Sequence, residues 1–312
     1  MQSKVYSRVM KAGVMKNDAL LLMTAMIWGF AFVAQRVGMR FIGPFTYNAV
    51  RFALGAVSLL PLLYWRRTRG RQIRSSVRLR MRVGLVAGAF LFIAASLQQI
   101  GIVYTTAGKA GFITTLYVVL VPLFGIAVRR GTGIAGWVGA LLAVSGLYLL
   151  SVREGFTVSP GDLLVLASAV FWALHVLLID LYGRYVDSIE LSIIQFALCS
   201  VLCAVTALGF EDPGLQGILT AAVPILYGGL FSVGIAYTLQ VVAQKHAPPS
   251  HAAILLSLEG AFAALGGWLL IGEVLDPRSL VGCVLMFAGM LASQWQVITG
   301  SKKSLTPSVQ DP

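Results

Sequence analysis

From Asp18 to Thr299 the chain alternates long apolar runs with short polar breaks. Ten runs are delimited in this way: 18–37, 45–65, 83–103, 109–128, 133–151, 162–181, 189–209, 219–241, 250–271 and 279–299. An α-helix rises about 1.5 Å per residue, so about 20 apolar residues cover a hydrocarbon core about 30 Å thick. Each run therefore predicts one membrane-spanning helix. The runs are too long and too evenly apolar for barrel strands. Irregular backbone is excluded because peptide groups in lipid must be satisfied within the segment. The expected fold class is an all-α integral membrane protein with ten transmembrane helices.

Composition agrees with the pattern. Hydrophobic residues make up 58% of the chain and charged residues 12%, with a mean hydropathy of +0.84; a soluble chain carries about twice that charged fraction. The net charge of +12 raises nucleic acid as a partner, but the placement of the charge argues against it. Eight arginines (66, 67, 69, 71, 74, 78, 80 and 82) fall between the second and third runs, with no aromatic residue among them to stack on bases. Such a cluster marks a cytoplasmic loop facing membrane lipid. With the N-terminus inside, eighteen Lys and Arg lie on the inner side; Arg36, Arg40, Lys109, Arg153 and Arg278 lie outside, and Arg51 lies within a span. Both termini are thus expected in the cytoplasm. The first run is read as a membrane helix, because it is long and lacks a small-residue cleavage site.

The halves resemble each other at an offset of 142–144 residues. Asp18 matches Asp162, Trp28 matches Trp172, and Phe52-Ala53-Leu54 matches Phe196-Ala197-Leu198. Leu97-Gln98 matches Leu239-Gln240, and Gly139 and Gly146 match Gly282 and Gly289. The order of these matches points to duplication. The expected organisation is a basic cytoplasmic tail 1–17, a first five-helix repeat 18–152, a second repeat 160–299 and a cytoplasmic tail 300–312. Five is odd, so the second repeat enters the membrane from the opposite side. Two inverted five-helix repeats surround a pseudo-two-fold axis in the membrane plane, an arrangement suited to alternating access around a midplane site. This pattern points to a transporter for a small-molecule solute.

Several segments resemble the drug/metabolite transporter superfamily, EamA-like type. They are Ala25-Met26-Ile27-Trp28-Gly29, Arg51-Phe52, and Ser96-Leu97-Gln98-Gln99 through Thr105-Thr106-Ala107 into Phe112-Ile113-Thr114. Leu258-Glu259 and Gly272-Glu273 complete the set. The resemblance covers nearly the whole chain outside the tails. It implies ten helices in two inverted repeats, a central cavity and solute movement by alternating access. It leaves the solute open among amino acids, other metabolites and drugs, and favours export. One departure is Gly260-Ala261 after Glu259, where family members often have proline.

The candidate pathway starts in the first run, where Thr24, Trp28, Ala31 and Gln35 share one helical face. The repeat sends Thr24 and Trp28 to Ser168 and Trp172, and Ala31 to His175. A mid-span indole N–H needs a partner or a wet cavity, so the two tryptophans either line the cavity or pack between helices. His175 either relays protons or forms a neutral interhelical hydrogen bond. Glu259 lies about nine residues into its span, roughly 13 Å deep, and its match is Tyr117. A carboxyl there is paired, protonated or wet: a proton-linked group, a solute contact or a buried structural carboxyl. Arg51 either snorkels outward or holds an acidic partner or solute carboxylate. Gln98 and Gln240 either bond solute or bond between helices.

Other chemistry is not supported by the residues. Cys199, Cys203 and Cys283 lie in apolar runs as small packing residues. His246 and His251 sit in a loop without further ligands, so no metal is expected. Gly131-Thr132-Gly133-Ile134-Ala135-Gly136 matches GxGxxG but follows a membrane helix instead of a strand, so no dinucleotide or other cofactor is expected. An intramembrane enzyme would need paired aspartates or a metal cluster, and neither is found. The competing readings are a secondary transporter, coupled to protons or proton-independent, and a membrane receptor or scaffold.

Overall fold

A computed structural model describes residues 2–69, 75–125, 134–151, 158–182, 185–212, 214–244 and 255–293. Among the described residues, seven helical segments are long and apolar enough to cross a membrane: Asn17–Gly38, Pro44–Thr68, Val77–Tyr104, Ile134–Ser151, Pro160–Ile179, Ser188–Phe210 and Ala222–Gln240. Three shorter apolar helices, Ala107–Val121, Leu255–Ile271 and Pro277–Ala292, fall on the fourth, ninth and tenth apolar runs.

The elements are α1 (Gln2–Gly38), α2 (Pro44–Thr68), α3 (Val77–Tyr104), α4 (Ala107–Thr115), α5 (Tyr117–Gly125), α6 (Ile134–Ser151) and α7 (Pro160–Tyr182). They continue with α8 (Ser188–Phe210), α9 (Leu215–Thr220), α10 (Ala222–Leu226), a π-helical segment (Tyr227–Ala236), α11 (Tyr237–Gln244), α12 (Glu259–Ile271) and α13 (Pro277–Ser293).

Helix starts are written in local chemistry. Pro44 occupies the first turn of α2, where its missing N–H costs nothing. Side-chain oxygens of Ser76, Thr106 and Asp187 accept from backbone N–H groups at the starts of α3, α4 and α8. Gly272 ends α12 in the left-handed region at φ 68°, and the N–H groups of Gly272 and Glu273 both return to Gly267 O.

The fourth and ninth runs are each interrupted by a turn. Leu116 N–H reaches Ile113 O at 3.2 Å, and Leu258 N–H reaches Leu255 O at 3.3 Å. The breaks immediately precede Tyr117 and Glu259. At the first, Thr115 Oγ1 donates to Gly111 O at 2.7 Å, a back-bond that bends helices. At the second, the interruption occurs with Gly260, not proline, after Glu259. The eighth run is drawn out as the π segment, which contains Gly228, Gly229 and Gly234 and follows Pro224. A π turn inside an α-helix is costly and concentrates at functional sites.

The main packing is between halves: α6 on α13, α3 on α7, α2 and α3 on α8, α4 on α12, and α1 on both α12 and the π segment. Small residues permit the close approaches. A Cβ on Gly146 would meet Gly282 O at 2.5 Å, one on Gly282 would meet Gly146 O at 2.7 Å, and one on Gly289 would meet Gly139 O at 2.6 Å. Gly84 and Gly88 sit on Ile194 and Leu198, as expected of their small-xxx-small spacing. At the α2–α8 crossing, Phe52 meets Phe196 with centroids 5.9 Å apart, within a core that includes Cys199 and Cys203. The GxGxxG glycines 131 and 133, His246 and His251 lie outside the described residues.

Candidate functional site

The polar interior is built where α1, α4, α12 and the π segment converge. Three bonds tie α1 to the π segment. Trp28 Nε1 donates to Ser232 O at 3.1 Å, Tyr227 Oη donates to Ile27 O at 3.1 Å, and Thr24 Oγ1 reaches Ala236 O at 3.5 Å while also bonding Leu20 O at 2.9 Å. Gly29 lets α1 approach α12 so closely that a Cβ there would lie 2.8 Å from Glu259 O.

Glu259 opens α12 and is 4% exposed. The Thr115 hydroxyl lies near its carboxyl, and Oε1 has no hydrogen-bond partner among the described residues. Tyr117, half-buried at the start of α5, and Tyr237 both lie within electrostatic reach of this carboxyl. The matched residues Tyr117 and Glu259 each follow a helix break and lie within electrostatic reach of one another.

From Glu259 an aromatic path leads to Arg51. Trp28 and Tyr237 meet edge to face at 5.1 Å, Tyr237 and Phe196 at 5.2 Å, and Phe196 and Phe52 at 5.9 Å. The Arg51 guanidinium lies over Phe52 at 4.8 Å and Tyr47 at 5.5 Å, and its Nε donates to Asn48 Oδ1 at 2.9 Å. Arg51 is 4% exposed, so its side chain is buried against the protein. Among the described residues no carboxylate lies within ion-pair distance of it. A guanidinium held by π faces and one amide retains donors for an anionic group.

The repeat-matched positions in α7 are used differently. Ser168 Oγ donates to Val165 O of its own helix at 2.6 Å. Trp172 packs on the Phe52/Phe196 core, but its Nε1 has no hydrogen-bond partner among the described residues. His175 Nε2 shares a 2.7 Å hydrogen bond with Gln195 Oε1 and stands edge-on to Trp172 at 6.0 Å. Gln98 Nε2 donates to Thr114 Oγ1 at 2.9 Å, an interhelical bond between α3 and α4. Gln240 is half-buried in α11. Trp28, Tyr117, Tyr237, Glu259 and Arg51 thus form one assembly, whereas His175 with Gln195, and Gln98 with Thr114, form separate pairs. A cleft of about 340 Å³ between α2 and the π segment is lined by Ser58, Leu59, Leu62, Leu230 and Gly234 among others, and none of the pathway candidates lines it.

Charged latches hold the ends of the assembly. At the Pro44 end, the Glu211 carboxylate accepts from Phe45 N and Thr46 N at 2.8 Å each and from Thr46 Oγ1 at 2.6 Å. Glu273 accepts from Ala107 N at 2.8 Å and stands 4.0 Å from Arg36. Asp162 receives Thr105 Oγ1 and pairs with Lys109 at 3.7 Å. At the Thr68 end, Asp187 pairs with Arg66 at 3.0 Å, and Glu190 bridges Arg67 and Arg80.

Reading the sequence missed Tyr237, Thr115 and most latches. Asn48 was legible as a polar residue one turn before Arg51. Tyr237 carried no local signal, because its partners come from α1 and α8.

The profile of the EamA-like transporter family matches residues 15–152 and again 159–293. The chain belongs to this family, within the drug/metabolite transporter superfamily, and is a membrane transporter. Among its relatives, an uncharacterized transporter of Archaeoglobus fulgidus is 31% identical over 275 residues, covering 88% of this chain and 84% of the relative. The uncharacterized transporter YoaV of Bacillus subtilis is 22% identical, with 86% and 94% covered. The uncharacterized inner membrane transporter YedA of Escherichia coli is 24% identical, with 91% and 93% covered. A protein crystal structure superposes with a TM-score of 0.64 at 20% identity, covering 93% of this chain and 99% of that one, and so shares the fold.

Proposed function

We propose a secondary active transporter that exports a small organic metabolite, amino-acid-like or drug-like, across the cytoplasmic membrane by alternating access. It has ten spans in two inverted repeats, 18–152 and 160–299, with both termini cytoplasmic. The observation that carries this reading is the exchange of matched contacts. Gly139 matches Gly282 and Gly146 matches Gly289, yet Gly139 touches Gly289 and Gly146 touches Gly282. Phe52 meets its own match, Phe196. Antiparallel helices that exchange contacts in this way are related by a two-fold axis perpendicular to them, hence lying in the membrane plane. The paired turns before Tyr117 and Glu259, and the two family matches, support the same division.

Along this axis Glu259 serves as the proton-linked group and Arg51 as the charge that meets an anionic solute group. His175 is a second proton-relay candidate, while Trp28, Trp172, Tyr117, Thr24, Ser168, Gln98 and Gln240 line or position the pathway. The test is Glu259→Gln in proteoliposomes with imposed pH gradients. Proton-driven accumulation should fall at least tenfold while exchange down a solute gradient persists. Wild-type accumulation by this variant would remove Glu259 from coupling and leave proton-independent exchange as the mechanism.

A further inference from the structure

At the Thr68 end, a cleft of about 220 Å³ opens between α2, α3 and α8. Its walls combine two guanidinium groups, Arg67 and Arg80, and the Glu190 carboxylate between them with the apolar side chains of Leu63, Met81, Ile193 and Ile194. This mixture is unlike the apolar cleft beside the π segment. One wall matches an acyl chain and the rim matches a negative headgroup.

The charge balance at the rim is positive. Glu190 neutralises one charge of the Arg67 and Arg80 pair, and Asp187 neutralises Arg66. Arg66 Nε is buried without an acceptor among the described residues, and the Arg67 side chain is 58% exposed although it touches Glu190. Arg69, Arg78 and Arg82 add three exposed charges with no carboxylate at ion-pair distance among the described residues. Tyr64 and Trp65, 72% and 50% exposed, stand at the same level, and Arg69 lies 4.5 Å over the Trp65 ring. Amphipathic aromatics of this kind sit at the headgroup plane. The cleft therefore opens where phosphates lie, and its apolar wall runs from there toward the hydrocarbon.

We propose that this cleft is a binding site for one anionic phospholipid. An acyl chain lies along Leu63, Met81, Ile193 and Ile194, and the headgroup phosphate accepts from Arg67 in competition with Glu190. Basic residues near an anionic surface gain about 1 kcal/mol each, and basic pockets between membrane helices hold anionic headgroups. On the proposed orientation the site faces the cytoplasmic leaflet, but binding in detergent does not depend on orientation or on transport.

The experiment is native mass spectrometry and thermal melting of the purified full chain in neutral detergent with added phosphatidylglycerol. One phosphatidylglycerol should be retained per chain and raise the melting temperature, whereas phosphatidylcholine should not. Arg67→Gln should weaken retention about fivefold. Met81→Glu, which places a carboxylate on the cleft wall without touching the Glu190 bridge, should abolish retention. Arg278→Gln, at the opposite end of the molecule, should leave it unchanged. Equal retention of phosphatidylcholine would mean an acyl groove without headgroup recognition. Equal stabilisation by inorganic phosphate would mean a free-anion site. Either result, or wild-type retention by both Arg67→Gln and Met81→Glu, overturns the proposal.

Discussion

Two of the crossings that join the halves are built from opposite chemistry. At α6–α13 the backbones themselves touch, through Gly139 with Gly289 and Gly146 with Gly282. The outward faces are apolar, with Trp137 60%, Leu141 69% and Val284 68% exposed. At α2–α8 the centre is Phe52 on Phe196, joined by a 2.8 Å bond from Ser200 Oγ to Ala49 O. Both ends of α8 carry carboxylates that grip α2: Glu211 on its first N–H groups and Asp187 and Glu190 on its last arginines. A backbone contact between glycines has no alternative partner, so α6–α13 is a fixed seam. A carboxylate on an N–H or a guanidinium can exchange its partner for water, so the ends of α2–α8 are the more exchangeable fastenings.

The comparison breaks first at the seam. Gly146→Leu places a Cβ 2.5 Å from Gly282 O and 2.7 Å from Met286 N, both backbone atoms that can yield only by moving a helix. Overpacking of this kind costs about 1–3 kcal/mol, occasionally more. The folded yield should collapse, or the melting temperature should fall by more than for any other variant here. Wild-type melting of Gly146→Leu would show that the seam has slack.

Glu211→Ala sharpens the other side. It strands the N–H groups of Phe45 and Thr46, a loss of about 1–3 kcal/mol for buried groups and less here because the site is part-exposed. Glu211→Gln keeps one acceptor and should lose less. The expected signature is faster hydrogen exchange at the start of α2 with folded yield retained. Loss of yield equal to that of Gly146→Leu would erase the distinction between seam and fastening.

The smallest effect concerns Asp276, whose oxygens accept from Ser279 N at 2.8 Å and Ser279 Oγ at 2.9 Å at the start of α13. The backbone N–H of Ser279, then its hydroxyl, hold this carboxyl below the usual value of 3.8. A lowered folded-state value gives stabilisation that is complete above the unfolded value and is lost as pH falls through the folded one. Asp276→Asn should therefore lower the melting temperature slightly at neutral pH and make no difference in strong acid. A larger effect in acid than at neutral pH would contradict the geometry of this cap.

Much of the helical architecture was legible because a membrane asks a simple question of each segment. A run such as 189–209 has no way to satisfy its peptide groups in lipid except as a helix, and α8 forms over Ser188–Phe210 accordingly. The fourth and ninth runs looked equally continuous, since Thr115 and Leu258 do not lower hydropathy enough to mark a turn. The candidate site was legible in part for a similar reason: Glu259 and Arg51 stand out because charge in a span is costly. Tyr237 did not stand out, because tyrosine is unremarkable in a span until its neighbours are known. In sequence the arginine cluster marks a loop between two spans, yet Arg66, Arg67 and Arg80 also pair with acids more than a hundred residues away.

By itself the sequence determined the helical class, the apolar segments, the duplicated order of matched residues and the membership of a transporter family. These depend on local hydropathy and composition, which each segment carries without reference to the rest. Only the tertiary structure decided that matched glycines exchange partners, that turns interrupt the fourth and ninth runs just before Tyr117 and Glu259, and that Arg51 rests on the Phe52 and Tyr47 rings. Those outcomes depend on which helix faces which, at ångström separations, and no single segment holds that information.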